Sequence, residues 1–510
     1  MAGNYFRTKP LDRILREANE EGQHGLRRAL GPLNLIALGI GAVIGAGIFV
    51  ITGSVAAQFA GPGIVLSFLL AGLGCAFAGL CYAELAATIP ISGSAYTYAY
   101  ASMGELVAWI IGWDLILEYG FSAATVASGW SANVVSLLQD FGVALPPRLI
   151  ETPGRELYFF GGRWELLTTI APALQAAGIA PESLPHVTAI FNLPAFLAVC
   201  LMTTILVVGV RESASINSVV VFIKVATVLI FVALAASFLW KNPQVAAVNW
   251  HPFLPANTGR FGEFGWSGVA RGAASIFFAF IGFDAVSTAA QEARNPQRDM
   301  PIGILGSLAI CTVLYVVVAG LLTGVMHYSQ LNVAAPIALA TDAMGMKWGS
   351  LLVKAGTIAG TSTVMMMTLM GQSRIFFVMS KDGMLPDWAG AIHPRFRTPW
   401  ISSILVGLLI AVFAGLLPIS VLGDLVNIGT LFAFVIVCLG VWILRSRRPD
   451  LPRPFRTPLV PAVPILGVVL SLGLMAMLPW DTWLRLLVWL LLGMIIYFGY
   501  SRRRSRVHAD

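Results

Sequence analysis

Two short stretches place glycines where an apolar helix should be most regular. Residues 39–50 read GIGAVIGAGIFV, and residues 279–284 read AFIGFD. Glycine weakens a helix interior by about 1 kcal/mol relative to alanine, so both stretches are candidate helix breaks. A break frees backbone N–H and C=O groups at the two new helix ends. N–H groups at a helix N-terminus suit a carboxylate, and freed carbonyls suit an ammonium group. Together the breaks could bind a zwitterion without any charged side chain.

Three ionisable residues lie inside apolar stretches: Glu118 in GWDLILEYG, Lys224 in NSVVVFIKVATVLIFVAL and Asp284 in AFIGFDAV. A charge at membrane depth is costly and is a functional hypothesis by default. For Lys224, snorkelling to the interface is disfavoured because apolar residues extend on both sides. Glu118 could instead form a structural hydrogen bond between helices. Asp284 could instead cap the second half of a broken helix.

The chain as a whole is also unusually apolar. Of its 510 residues, 57% are hydrophobic and 11% are charged, whereas soluble domains carry about 25% charged residues. The composition predicts an all-α polytopic membrane protein. The net charge of +7 does not indicate nucleic-acid binding, because the basic residues have no interleaved stacking aromatics. The five cysteines fall in apolar segments without metal-ligand spacing, so no metal site or cofactor is expected.

Apolar runs predict twelve transmembrane helices, with a long outer loop over residues 139–188. If both termini are cytoplasmic, the inner segments hold 21 Lys and Arg residues and the outer ones seven. This asymmetry predicts cytoplasmic termini. Residues 1–30 are polar and charged, without a short apolar core before a small-residue cleavage site, so no cleavable signal peptide is expected. Leu11–Leu30 could form an amphipathic surface helix. The predicted helices are 33–57, 62–88, 103–138, 189–209, 214–240, 266–292, 301–327, 346–380, 399–416, 420–444, 461–479 and 483–500.

The two candidate breaks occupy the first and the sixth predicted helix. Each therefore leads a group of five helices, over residues 33–240 and 266–444, and the two groups start on opposite sides of the membrane. Inverted halves that each begin with an interrupted helix are typical of secondary transporters with a site at the bilayer midplane. Taken alone, the first stretch also fits close helix packing, because Gly41 and Gly45 form a G-x-x-x-G pattern.

Three motifs resemble those of the amino acid–polyamine–organocation (APC) transporters, and within them the bacterial members of the cationic amino acid transporter family. They are GAVIGAGIF in the first helix, FFAFIGFDAVSTAAQEARNPQRDMP in the sixth and GQSRIFFVMSKDGMLP at 371–386. The resemblance covers about residues 30–445 and two further helices, 461–500. It implies a LeuT-like fold of two inverted five-helix repeats, followed by two extra helices. The N-terminal tail (1–32) and the C-terminal tail (501–510) would flank this fold.

The resemblance also implies a substrate site between the first and sixth helices. The α-carboxylate of an L-amino acid is expected at the backbone of Gly45, Ala46 and Gly47. Phe278 matches the aromatic gate over the substrate, and Asp284 is expected to position the sixth helix or bind a polar substrate tail. The α-amino group is expected at carbonyls of the two breaks, those of Val43, Ile44, Phe278, Ala279 and Ile281.

Lys224 lies in the fifth helix, where proton-coupled members of the superfamily carry a lysine in place of a bound sodium ion. Burial disfavours a charged ammonium, so such a lysine can gain and lose a proton. The expected coupling ion is therefore H⁺ rather than Na⁺. A permanently charged Lys224 would instead permit exchange or uniport.

Other side chains are expected to border the substrate or the inner gate. Glu118 could recognise a basic side chain or neutralise Lys224. Methionines adapt to varied shapes, so Thr361 or Met365 in the eighth helix is expected to border the side-chain pocket. Lys354 and Arg374 are expected to snorkel or pair. A polar inner gate or loop-folding motif is expected at Glu292, Asn295, Pro296 and Asp299.

The predicted function is proton-coupled import of L-amino acids across the plasma membrane by alternating access. A cationic amino acid uniporter or exchanger of the same fold is the alternative, and neutral and cationic substrates stay equally open. A channel is a remote alternative because no selectivity-filter repeat is present. A membrane enzyme is equally remote because the six histidines lie near segment ends or in loops without a plausible pair. The membrane lipid is the expected surrounding, and the oligomeric state is left open.

Overall fold

The computed structural model describes residues 7–10, 30–91, 93–208, 213–333, 335–396 and 398–506. The predicted surface helix Leu11–Leu30 lies outside these residues except for Leu30 itself. The described chain is mostly helical. Its α-helices, in chain order, are α1 (Pro32–Val43), α2 (Thr52–Val55), α3 (Ile64–Thr88), α4 (Ser94–Ser102), α5 (Glu105–Leu115), α6 (Ser122–Asp140), α7 (Leu167–Ala177), α8 (Leu193–Val208), α9 (Ser213–Lys241), α10 (Pro243–Asn249), α11 (Gly265–Ile276), α12 (Pro296–Val325), α13 (Pro336–Ala343), α14 (Lys347–Lys381), α15 (Trp400–Leu416), α16 (Ile419–Arg447), α17 (Ala462–Ala476), α18 (Trp480–Ile496) and α19 (Arg502–Arg504).

Several of these helices suit a membrane interior. Within the described residues, seven helical stretches are long and apolar enough to cross a bilayer, and four more apolar helices are shorter. This agrees with a multi-pass membrane protein, whereas the count of twelve spans and the side of the termini stay predictions. The seven stretches are Gly47–Thr88, Glu105–Asp140, Val219–Lys241, Gly265–Glu292, Pro296–Val325, Ile419–Arg447 and Trp480–Arg504.

The first predicted helix is interrupted after Val43. Ile44 is extended, with ψ of 103°, and the chain returns to a helix only at the wide π-helical turn Gly47–Ile51. We call residues 42–47, counted with the helix ends on either side, the first break. A Cβ atom at Gly47 would overlap the backbone of Ala279 in the sixth predicted helix. The small residues therefore serve close approach of the two segments as well as interruption of the helix.

The sixth predicted helix is interrupted in the same region. Helix α11 tightens into a 3₁₀ turn at Phe277–Phe280, and a second 3₁₀ segment runs from Asp284 to Glu292. We call residues 278–284, counted with the helix ends on either side, the second break. Gly282 has φ of +118°, a conformation that an L side chain rarely adopts. A Cβ atom there would lie 2.8 Å from the carbonyl carbon and oxygen of Ala42, so the two breaks pack backbone against backbone.

The third predicted helix differs in detail from the expectation for 103–138. A separate short helix, α4, precedes it, and the helix itself runs from Glu105 to Asp140 with a π-helical turn at Ile116–Phe121. This turn packs against α14 and α16. It carries Glu118 and Tyr119 into the centre of the molecule, where both are buried.

The long loop between α6 and α8 contains strands, so the all-α prediction is wrong for this segment. We call residues 141–192 the outer domain. Its antiparallel sheet has the order β2–β1–β3, with β1 at Glu156–Phe160, β2 at Arg163–Leu166 and β3 at His186–Thr188. Gly161 and Gly162 both have positive φ and close the β1–β2 hairpin, which two-residue hairpin turns require. The Gly161-Gly162 dipeptide between two aromatic-rich runs is a hairpin signal in the sequence, which the prediction of membrane helices did not use.

Candidate functional site

The first break presents unpaired backbone donors. Gly45, Ala46 and Gly47 are buried, and in the described part of the chain their N–H groups have no hydrogen-bond partner. An unpaired buried N–H group costs about 1–3 kcal/mol. Such groups persist at membrane depth where they meet a ligand or line a cavity. These are the donors predicted for an α-carboxylate.

Two carbonyls of the first break already have partners. The Ile44 carbonyl accepts a hydrogen bond of 3.0 Å from Lys224 Nζ. The Val43 carbonyl lies 2.9 Å from the Tyr315 hydroxyl oxygen. A carbonyl oxygen has two lone pairs, so either group can still accept a second donor.

The second break contributes further acceptors. The Phe278 carbonyl accepts from the Ile281 N–H at 3.3 Å, and the Ala279 carbonyl lies 2.9 Å from the same Tyr315 hydroxyl. Of the predicted acceptors in this part of the described structure, the Ile281 carbonyl alone has no partner. The geometry therefore leaves Ile281 as the predicted acceptor that is most available to an ammonium group.

Tyr315 on α12 joins the two breaks, and the sequence reasoning did not single it out. A hydroxyl has one proton, so it donates to the carbonyl of Val43 or of Ala279 and not to both. Tyr315 is fully buried and its ring packs on Phe68 and Phe280. The available signal was a lone tyrosine in the aliphatic run CTVLYVVVAGLL.

Lys224 is fully buried and faces the first break. Its ammonium donates to the carbonyls of Gly41 and Ile44 and lies 3.4 Å from Thr363 Oγ1. It thereby connects α9 with α1 and α14. The carbonyls hold the ammonium as they would hold a bound cation, whereas its role in coupling stays a prediction.

The eighth predicted helix, α14, approaches the first break and Lys224 with Gly360 and Val364. A Cβ atom at Gly360 would lie 3.3 Å from Lys224 Cδ, and one at Gly45 would lie 2.9 Å from a Val364 methyl group. Thr361 is buried and donates to the Thr357 carbonyl in its own helix. Met365 is also buried. Their assignment to a side-chain pocket stays a prediction.

Asp284 fastens the second break. Its carboxylate accepts from the Gly282 N–H at 3.2 Å and from the Tyr119 hydroxyl at 2.7 Å. The N-cap position belongs to Phe283, which makes no side-chain cap bond. The alternative that Asp284 caps the following helical segment is therefore wrong, because its side chain bonds backward to the break.

Glu118 lies one residue before Tyr119 and is fully buried. Neither of its carboxylate oxygens has a hydrogen-bond partner in the described structure, and the same holds for Asp114 one turn earlier. Among the described residues, neither Glu118 nor any other side chain belongs to a group of three His, Cys, Asp or Glu residues that could hold a metal ion. Glu118 is thus an unsatisfied buried acid beside the residues that fasten the second break.

Phe278 differs from the neighbouring aromatic residues of its segment. The ring of Phe277 meets that of Phe434 edge-on, and Phe283 packs against Phe434 at a tilt. Phe280 packs against Tyr315. Phe278 has no ring contact of this kind in the described part of the chain, and it is 5% exposed. The gate role of Phe278 stays a prediction.

A cavity of about 980 Å³ lies between the outer domain and the transmembrane helices. We call it the vestibule. It reaches down to Val50, Gly129 and Ser275, but none of the predicted substrate-contact residues lines it; they are buried below it. Its charged lining comprises four basic and four acidic residues: Arg155, Arg163, Arg271 and Lys354, with Glu151, Glu165, Asp342 and Asp424.

Several contacts hold together the face of the molecule that carries residues 7–10 and 501–506. We call it the terminal face. The Leu30 N–H donates to the Glu292 carbonyl at 3.0 Å, and Arg374 pairs with the Glu292 carboxylate at 2.9 Å. The predicted pairing of Arg374 is confirmed, as is that of Lys354, which bonds to Asp140. Asp299 and Asn295 exchange main-chain and side-chain bonds that start α12.

Comparison with known proteins agrees with this arrangement. A sequence model described as amino acid permease matches residues 30–498. The chain is 42% identical over 509 residues to the branched-chain amino acid permease BcaP of Bacillus subtilis (strain 168), covering 100% of both chains. It is 42% identical over 500 residues to the methylthioribose transporter of the same organism, covering 98% of both.

More distant relatives include plant transporters. The chain is 34% identical over 445 residues to the vacuolar cationic amino acid transporter 4 of Arabidopsis thaliana, covering 87% of this chain and 67% of the relative. These relatives are transporters and permeases and not enzymes. The predicted resemblance is therefore confirmed, and the chain belongs to the amino acid permease family of the APC superfamily.

Proposed function

We propose that this protein imports L-amino acids by alternating access, with the substrate bound where the two breaks meet. The observation that carries the proposal is the set of unpaired N–H groups at Gly45, Ala46 and Gly47, which packs directly against the second break. A carboxylate would satisfy these donors, and an ammonium group would find the Ile281 carbonyl. The binding energy would then come from the carboxylate and ammonium groups that all α-amino acids share.

We infer that neutral, apolar amino acids are the main substrates. The vestibule carries equal numbers of acidic and basic residues, so it exerts little net field on an approaching solute. A net field of one sign would instead concentrate ions of the opposite sign. Two relatives named as branched-chain amino acid permeases point to the same class. The unpaired Glu118 carboxylate supports cationic substrates as the alternative, since a basic side chain would satisfy it.

Lys224 is the proposed site of proton coupling. A charged ammonium holds the carbonyls of Gly41 and Ile44 and so draws α1 toward α9 and α14. Loss of the proton removes the charge and weakens these bonds, because bonds to charged groups are worth about 1.5–3 kcal/mol each and neutral ones about half of that. Protonation would therefore favour the arrangement in which the first break is held in place. A permanently charged lysine would give exchange or uniport instead.

The proposed setting is the plasma membrane, with both termini in the cytoplasm. The segments on the side of the termini carry the large excess of Lys and Arg, as cytoplasmic segments do. Import would then begin at the vestibule, pass the buried site between the breaks and end at the terminal face.

Uptake by purified protein in liposomes tests this function. An inside-alkaline pH gradient should drive saturable accumulation of labelled leucine. Lys224→Met should abolish accumulation above equilibrium. The matched control is Lys241→Met, because Lys241 ends the same helix and is exposed, and it should leave uptake unchanged. Gradient-driven accumulation that survives Lys224→Met would exclude the coupling role.

A binding screen with the twenty amino acids and methylthioribose separates the substrate classes. Leucine, isoleucine and valine should bind most tightly. Preferred binding of lysine or arginine would favour the cationic alternative and a role for Glu118. Binding of methylthioribose alone would exclude the proposed carboxylate site, since that compound has no carboxylate to fill it.

A further inference from the structure

The described N-terminal and C-terminal segments both form bonds with the same two acidic residues of the terminal face, Glu105 and Asp382. Glu105 begins α5, and Asp382 directly follows α14. Both are buried, at 1% and 6% exposed. Residues 7–10 and residues 501–506 approach them from different directions. Neither tail contact takes part in the substrate site described above.

The C-terminal segment holds these residues through specific bonds. Ser505 Oγ donates to Glu105 Oε2 at 2.7 Å. The Arg506 N–H donates to the Asp382 carbonyl at 3.0 Å, and Ser501 Oγ donates to the Met384 carbonyl at 2.7 Å. The segment thus links the start of α5 with the loop that leaves α14.

The N-terminal segment docks onto the same residues. Lys9 Nζ pairs with Asp382 Oδ1 at 2.7 Å, and the Glu105 N–H donates to the Arg7 carbonyl at 3.2 Å. Lys9 is only 7% exposed. Breaking a buried ion pair by removing one partner costs about 3–5 kcal/mol. The Lys9–Asp382 pair therefore contributes to the docking of the N-terminal segment only while Asp382 is held in place.

The base of the C-terminal segment is rigid. Trp113 and Trp489 stack at 4.7 Å between ring centroids, and each indole N–H donates to the carbonyl of the other residue, at 2.8 and 3.2 Å. The Trp109 indole donates to the Gly493 carbonyl at 2.9 Å. Helix α18 is therefore fixed to α5, and the segment that follows it starts from a fixed point.

We propose that residues 501–506 form a clasp that positions Glu105 and Asp382 to receive the N-terminal segment, and that this docking keeps the terminal face closed. The inference rests on the proposed alternating access. The N-terminal segment precedes α1, which must move away for the terminal face to open. The clasp joins α5, α14 and α18. Loosening the clasp therefore weakens the docking site and shifts the protein toward opening at the terminal face.

Ser505 is the positioning residue through which the clasp can be tested. Ser505→Ala removes the bond to Glu105, whereas Ser505→Thr keeps a hydroxyl. Arg503→Ala is the matched control, since Arg503 is exposed in the same segment and, among the described residues, makes no bond to Glu105 or Asp382. A chain ending at Tyr500 removes the whole clasp. The reporter is Ala293→Cys, a fully buried position below the breaks, in a Cys200→Ser background that removes the one native cysteine that is not fully buried.

The measurement is the rate at which a polar maleimide labels the reporter in purified full-length protein. Ser505→Ala should raise the rate about five- to tenfold, because the loss of one buried hydrogen bond costs about 1–1.4 kcal/mol. The chain ending at Tyr500 should raise it further, and Ser505→Thr and Arg503→Ala should match the parent. Unchanged labelling in both Ser505→Ala and the shortened chain would overturn the proposal, and so would equal acceleration by Arg503→Ala.

Thermal unfolding and leucine uptake are measured on the same variants. A merely structural role for Ser505 predicts a lower melting temperature with proportionate acceleration at every cysteine, including buried Cys75 and Cys311, and that outcome also overturns the clasp. Absence of uptake in the parent would refute the transport proposal, whereas the labelling comparison tests the clasp separately.

Discussion

Replacement of Gly282 by alanine tests whether the close contact of the two breaks creates the substrate site. Gly282 has φ of +118°, and holding a non-glycine residue in such a region costs about 1–3 kcal/mol. The new Cβ atom would also lie 2.8 Å from the Ala42 carbonyl group. Overpacking of this kind costs about 1–3 kcal/mol. The two costs amount to about 2–6 kcal/mol, and they are relieved when the breaks separate.

This cost should appear as a less favourable free energy of substrate binding, because the substrate binds only when the breaks are in contact. A loss of about 1.4 kcal/mol weakens binding tenfold, so even the lower bound of 2 kcal/mol predicts at least about 30-fold weaker binding of leucine. Calorimetric or scintillation binding to purified protein measures this directly. Thermal unfolding of the variant checks that the fold is kept.

Gly473→Ala is the matched control. A Cβ atom at Gly473 would meet no atom within 4 Å, and the residue lies inside helix α17. Alanine there should stabilise the helix by up to about 1 kcal/mol and leave leucine binding unchanged. If folded Gly282→Ala protein binds leucine within threefold of the parent, the contact between the breaks does not form the site.

Two further substitutions test separate parts of the structure. Tyr315→Phe removes the hydroxyl between the Val43 and Ala279 carbonyls. It should lower kcat/KM for leucine uptake about tenfold or more, since a buried unpaired acceptor costs about 1–3 kcal/mol. The control Tyr328→Phe, whose hydroxyl lies outside both breaks, should leave kcat/KM unchanged, and equal uptake by both variants would contradict the bridging role. Burial raises the pKa of the Glu165 carboxyl in the outer domain, and Arg163 and Lys354 act in the opposite direction. An acid whose pKa is raised by folding destabilises the fold as pH rises above its pKa in the unfolded chain. Glu165→Gln should therefore slow hydrogen exchange of the β1–β2 hairpin at pH 8 and leave it unchanged at pH 4, with Glu182→Gln as an exposed control. Slower exchange that persists at pH 4 would refute this account.

The positions of both breaks could be predicted from local sequence. Glycines such as Gly45 and Gly282 act through backbone freedom at their own positions, which a reader of the sequence can assess directly. The apolar composition similarly required a membrane protein, because the polar surface is too small to cover a soluble fold. Lys224 was identifiable for the same reason, since a charge at membrane depth is conspicuous wherever it lies.

The partners of these residues could not be read from the sequence. Tyr315 lies 272 residues from the Val43 carbonyl that it contacts, and Thr363 lies 139 residues from Lys224. Which residues of α14 face the first break depends on how that helix is rotated in its packing, and Val364 lies there with Thr363 beside Lys224.

Local pattern thus determined where the chain breaks, where it is apolar and where it carries unusual charges, because these follow from the chemistry of a few adjacent residues. Tertiary structure decided which acceptors are already occupied, that Asp284 bonds back to its own break with help from Tyr119, and that Ser505 reaches Glu105 across 400 residues of chain. Those contacts depend on the packing of many helices at once, and no short stretch of sequence specifies that packing alone.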